Sequence, residues 1–195
     1  MSWVTDRDRY QRIATKQDRA ARVVVKEGWF WHVLGWILHA ITFGRMSHRT
    51  FMERYATTLG PIQAHPRGLA RLRDSTVVHE SRHTRQSRWH GLFIHPWVGL
   101  PFFAITYLLL PLPVGLAWLR YRFELDADRS GFSYAVRNRQ DFGRTLEDLL
   151  ARARSRADQL SGPEYAWAWP HKWARAGYEK LARDVWRKEN NNDYR

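Results

Sequence analysis

Along the chain, apolar positions recur near helical spacing over residues 5–26, at Tyr10, Ile13, Ala14, Ala21 and Val24. With charges between them, they predict an amphipathic helix that breaks at Gly28. Residues 29–43 are apolar and rich in aromatic side chains, and read as a helix or a strand pair, with Gly35 inside and Gly44 just beyond as residues that disfavour regular structure. FMERYATTLG (51–60) mixes aromatic and β-branched residues and runs into Gly60–Pro61, which predicts a strand entering a turn. PIQAHP (61–66) follows as a second short strand closed by Pro66. Residues 74–90 predict a helix with Asp74 or Ser75 as its cap. The apolar block 91–119 predicts a loop, a helix near 102–110, and a Pro-broken entry into a helix from about 114 to 139. Leu146, Leu149, Leu150 and Ala153 mark a helix over 144–160. A loop over 161–170 precedes a last helix, 171–188, with Ala174, Tyr178, Leu181 and Val185 on one face. The expected class is α+β, mainly helical, with a small antiparallel sheet and extra helices at both ends.

Composition narrows the chemistry. The 195 residues include no cysteine, so disulfides, thiolate metal sites and cysteine nucleophiles are excluded. The net charge is +13, with 27 Arg among the 32 basic residues spread along the whole length. A basic surface favours anionic neighbours, but no nucleic-acid-binding signature is present, so nucleic acid is not expected as a specific ligand. The first 27 residues are highly charged, so no secretory signal is expected, and a cytoplasmic or particle-associated location is favoured. The apolar stretch 28–44 is short for a membrane span and holds His32 and His39, which share a helix face and offer a second pair of metal donors. The stretch 91–119 is long enough, but Pro96, Pro101, Pro111 and Pro113 interrupt it. Packing in a core or at an interface is favoured for both over insertion into a membrane or burial against a partner protein, with peripheral membrane association left open. Eleven tryptophans, six of them clustered at 29–36 and 167–173, fit core packing, a protein partner or a homo-oligomer contact.

HESRH (79–83) carries the strongest chemical signal. On a helix, His79 and His83 fall on one face and can present two imidazoles to one ion. Glu80 then lies within reach of a water on that ion, where a general base is needed for hydrolysis. A third protein ligand has to be His, Asp or Glu. ELDAD (124–128) supplies two carboxylates at the same helical spacing: Glu124 can complete a His₂Glu set and Asp128 can orient a ligand imidazole. The competing view is an exposed acidic turn that pairs with Arg120, Arg122 or Arg129.

HESRH followed by ELDADR resembles the gluzincin zinc metallopeptidases, closest to the branch with HExxH and ExxAD motifs that includes the CAAX-prenyl-protease type and the compact minigluzincins. The resemblance covers about residues 51–140. It implies Zn²⁺ held by His79, His83 and Glu124, with Glu80 as general base, Asp128 as an orienting carboxylate, and a peptide or protein substrate. FMERYATTLGPIQAHP would correspond to edge strands that hold the substrate extended. The corresponding organisation is an N-terminal helix and apolar segment (1–50), a gluzincin-like catalytic core (51–143) and a Trp-rich helical arm (144–195). Tyr107, Tyr121, Tyr134, His95 and His171 are candidates for a donor to the oxyanion. The short spacer before Glu124 and the absence of the prenyl-protease type's full set of membrane helices favour the compact form. A non-catalytic structural or assembly protein that keeps a gluzincin fold, with or without zinc, is the alternative.

Overall fold

The computed structural model describes residues 3–41, 44, 46–66, 72–90, 95–108, 117–165 and 169–191. The chain divides into two compact units, Met1–Phe103 and Ala104–Arg195. Among the described residues it is mainly helical, with a small three-stranded sheet.

The first unit contains α1 (Trp3–Gln17), β1 (Arg22–Val25), α2 (Trp29–Ile41), α3 (His48–Arg54), β2 (Thr57–Leu59), β3 (Ile62–His65), α4 (Asp74–His90) and the start of α5 (Pro96–Leu108). The helix expected over 5–26 ends at Gln17. Asp18 turns the chain by accepting from the Ala20 amide at 2.9 Å, and the run Val23–Val24–Val25 prefers a pleated strand. The sheet order is β1-β3-β2. It is mixed rather than antiparallel, because β1 pairs parallel with β3 while β2 runs antiparallel to it. A parallel pair needs a long crossover, and α2 and α3 supply it. The strand expected from residue 51 begins only at Thr57, since Ser47 caps α3 by accepting from the Thr50 amide at 3.0 Å and Phe51 turns into the core. Gly60, at φ +56°, makes the β2–β3 turn.

Two small cores hold this unit. Tyr10 and Ala14 of α1 meet Val23 of β1 and Val77 of α4. Trp31 of α2 meets Phe51 of α3 and Ala64 of β3. Lys26, buried at the end of β1, donates to the carbonyls of Phe51 and Tyr55 at 2.9 Å each, and so receives the free carbonyl end of α3. α4 spans the predicted residues. α5 starts earlier than expected, with Pro96 in its first turn, where a missing N–H costs nothing. Residues 91–94 and 109–116 of the apolar block lie outside the described residues, among them Pro111 and Pro113.

The second unit contains α6 (Trp118–Arg137), α7 (Leu146–Leu160) and α8 (His171–Asn191), with 3-10 turns at Asp141–Gly143 and Pro163–Tyr165. Thr145 caps α7 by accepting from the Asp148 amide at 3.1 Å. The three helices enclose one core that includes Phe132, Leu149, Leu160, Tyr178 and Leu181. Of the C-terminal tryptophans, Trp169 stacks on Tyr121 with ring centres 5.4 Å apart, Trp173 is exposed, and Trp167 is outside the described residues. Among the described residues no helix is long and apolar enough to cross a membrane.

Candidate metal centre

α4 faces the sheet with its small and apolar side chains. Val77, Ser81 and Thr84 are fully buried, and Gln63 of β3 donates to Ser81 at 3.0 Å. That contact sets the rotation of α4 and brings His79 and His83 to one side. Their Nε2 atoms lie 3.2 Å apart, with the rings nearly perpendicular. His83 donates through Nδ1 to the Gln86 side-chain oxygen at 2.8 Å, which leaves the lone pair on Nε2. Two ring nitrogens this close need a proton or a cation between them. In a tetrahedral zinc site with Zn–N near 2.05 Å, ligand atoms are about 3.3 Å apart.

Glu80 points from the same helix to the sheet. Its carboxylate accepts from the Thr58 hydroxyl of β2 at 2.6 Å, and only 7% of the residue is exposed. Two further groups share this neighbourhood. Burial lowers the Lys26 pKa to about 7, with Glu80 working in the other direction. Burial likewise takes His65, at the end of β3, down to about 4, opposed by Glu80 and reinforced by Lys26. At neutral pH His65 is therefore an uncharged imidazole.

In the second unit, Glu124 and Asp128 sit one turn apart on α6, and both are buried. Arg156 of α7 donates from Nη2 to Glu124 and from Nε to Asp128, at 2.9 Å each. Tyr178 of α8 donates to Asp128 at 2.6 Å. Burial works against the Arg156 charge, but Asp128, Tyr165, Tyr178 and Glu124 outweigh it and hold the pKa well above its usual value. The Tyr178 hydroxyl is also held well up, by burial first and then by Asp128. The exposed acidic turn paired with Arg120, Arg122 or Arg129 is thus replaced by a buried pair of carboxylates that share Arg156.

One ligand atom from each of His79, His83 and Glu124 lies within 4.8 Å of the others, so this largely buried group can hold a metal ion. No family model, curated protein or solved structure matches the chain. Two imidazoles and a carboxylate suit zinc, and three protein ligands leave a tetrahedral corner for water.

The five candidates for oxyanion donation have varied settings. Tyr121 is buried against Trp169 and Tyr178. Tyr134 is half-buried on α6. His95 precedes α5, and its Nδ1 accepts from the Trp97 amide at 3.3 Å. His171 is exposed and pairs with Asp158 at 2.7 Å. The backbone of Tyr107 belongs to α5, but its side chain falls outside the described residues. His32 and His39 make separate contacts: His32 lies 3.0 Å from His48, and His39 lies 3.1 Å from the Met46 carbonyl.

Thr58, Arg156 and Tyr178 are the polar partners that motif reading missed. Arg156 had one available signal. It follows Ala153 by three residues and precedes Ala157 and Leu160, which places a cation on the buried face of α7.

Proposed function

We propose that this protein is a zinc-dependent metallopeptidase that hydrolyses peptide bonds, with His79, His83 and Glu124 as ligands and Glu80 as general base. The observation that carries the reading is the proximity of the three ligand atoms, with Glu80 adjacent to His79 in sequence. When bound, zinc polarises a carbonyl and lowers the pKa of a water to about 7. Glu80 takes the proton of the attacking water and passes it to the leaving nitrogen. Thr58 holds the carboxylate still, and Gln86 keeps the His83 lone pair on the ligating nitrogen. Arg156 and Tyr178 fix the carboxylates of α6. β2 is an edge strand beside Glu80, so an extended peptide can add to it through main-chain hydrogen bonds. The gluzincin resemblance of the two motifs agrees with this division of roles.

A second reading has an observation of its own. Glu80 and His83 are each only 7% exposed, and Glu124 only 2%. Such closure also suits a metal centre that stabilises an assembly protein without catalysis.

One experiment separates them. Purified protein is assayed for bound zinc and for cleavage of a peptide library, alongside Glu80→Gln and His83→Ala. Catalysis predicts that Glu80→Gln keeps its zinc and loses activity by about 10²–10⁴-fold, while His83→Ala loses both. Undiminished cleavage by Glu80→Gln rejects the base assignment. Stoichiometric zinc with no cleavage by the wild type supports the assembly reading.

A further inference from the structure

α2 is the most conspicuous surface of the first unit. Its 13 residues carry no formal charge, and one side is spent on the core through Trp31. The other side remains uncovered: Trp29 is 75% exposed, Trp36 59% and Ile37 51%, with Phe30 and Val33 close behind. Positions 29, 33, 36 and 37 follow helical spacing, so these side chains form a continuous apolar stripe. A stripe of this size on a folded protein marks a binding surface.

The charge of the unit selects the occupant. Residues 1–103 contain 16 of the 32 Lys and Arg but only 7 of the 19 Asp and Glu, so most of the net charge of +13 belongs to this unit. Two copies meeting through α2 would bring like charges together, which opposes self-association. An anionic surface is attracted instead. The stripe is the outer side of a helix, and two histidines beside it pair with each other. His32 lies 3.0 Å from His48, whose ring stacks on Trp36. Tryptophan favours the boundary between headgroups and acyl chains, and a helix lying in that plane buries only its outer face.

We infer that α2 docks the protein onto an anionic lipid surface, with Trp29, Phe30, Val33, Trp36 and Ile37 entering the interface and the basic surface of the same unit held by the headgroups. The contact is peripheral and does not depend on the metallopeptidase reading.

The test uses the full chain with vesicles of phosphatidylcholine alone and of phosphatidylcholine with 30–40 mol% phosphatidylglycerol, a range of about a third anionic lipid chosen to give a strong surface potential. Co-sedimentation is expected with the anionic vesicles and much less with the neutral ones, weakening as salt is raised. Trp29→Ser with Trp36→Ser and Ile37→Ser should cut binding at least about tenfold, with an unchanged circular dichroism spectrum, because these side chains are exposed. Since the chain has no cysteine, Val33→Cys carrying an environment-sensitive dye gives an independent readout. Its emission should shift to the blue on adding anionic vesicles. No sedimentation with either lipid, or no dye shift on binding, overturns the proposal. So does light scattering that shows a dimer abolished by the triple substitution, which would assign the stripe to a second copy. Equal binding by wild type and triple variant also overturns it, by moving the contact to other residues.

Discussion

Lys26 shows how one buried cation can govern the pH response of the first unit. Its folded pKa, about 7, lies below the ordinary lysine value of 10.5. Between those two values the unfolded chain binds more protons than the folded one, so stability rises with pH through the window and the full penalty is felt below about 7. Above about 10 the raised hydroxyls of Tyr10, Tyr121 and Tyr178 reverse the trend, since the unfolded chain then loses protons first. Unfolding free energies from urea titrations at about pH 6.5 and upward should climb by about 1.4 kcal/mol per unit where one full proton separates the states, and then fall. Lys26→Met should remove the climb while lowering stability through the lost bonds to Phe51 and Tyr55. A flat profile in the wild type would contradict the assigned shift. Thr58 tests orientation rather than charge. Under the proposed function, Thr58→Val should lower kcat by about tenfold, the value of one hydrogen bond to a charged group, with KM and zinc content unchanged. At this scale the sequence is legible where local spacing does the work. His79 and His83, or Glu124 and Asp128, share a face because a helix has 3.6 residues per turn. Thr58, Arg156 and Tyr178 are illegible because their partners are 22, 28 to 32 and 50 residues away, and only packing selects them.

Long elements with clear boundaries are the ones that pattern alone identifies. α7 and α8 follow the expected ranges closely, since apolar residues at three- and four-residue intervals bury one face, and α4 matches its range with Ser81 and Thr84 buried beside Val77. α1 and α3 do not. Ala21 and Val24 fit the period of α1 by coincidence, while the β-branched run they border belongs to the sheet. α3 depends on Ser47 as a cap and on Phe51 filling a core contributed by α2 and β3, which local propensity cannot supply. The second unit makes two element-scale predictions. Arg156→Met leaves Glu124 and Asp128 buried without their shared cation, at a cost of about 3–5 kcal/mol. Thermal unfolding should show that loss, and a shift no larger than that of a surface substitution would refute the arrangement. Gly143 is the close contact between the 3-10 turn and α6. A Cβ there would sit 2.2 Å from the Ala135 carbonyl carbon, which is backbone and has no rotamer to yield. Gly143→Ala should therefore destabilise by about 1–3 kcal/mol, whereas Ala151→Gly on the exposed face of α7 should cost only about 1 kcal/mol, from helix propensity.

For the whole chain, the boundary between the units falls at Phe103 and Ala104, inside both α5 and the long apolar block. No local motif or linker marks it, so a reading by motif and linker has nothing to detect there. The uneven charge is different in kind, because it can be counted from the sequence, but its meaning emerges only once α2 is seen to expose its aromatic side chains. Under the proposed function the ligands have 40 residues between His83 and Glu124, so metal binding would be an observable of the whole chain. A metal that binds the folded chain and not the unfolded one stabilises by mass action, about 2.7 kcal/mol at a free concentration 100 times Kd. Zinc added to metal-stripped protein should therefore raise the unfolding temperature in a concentration-dependent way. The rise should persist in Glu80→Gln, which keeps every ligand. It should shrink in Glu124→Gln, which exchanges an anionic donor for a neutral amide, and vanish in His79→Ala with His83→Ala. Equal zinc shifts in wild type and Glu124→Gln would remove the carboxylate from the ligand set and leave a two-histidine site, too weakly coordinated for the hydrolytic role.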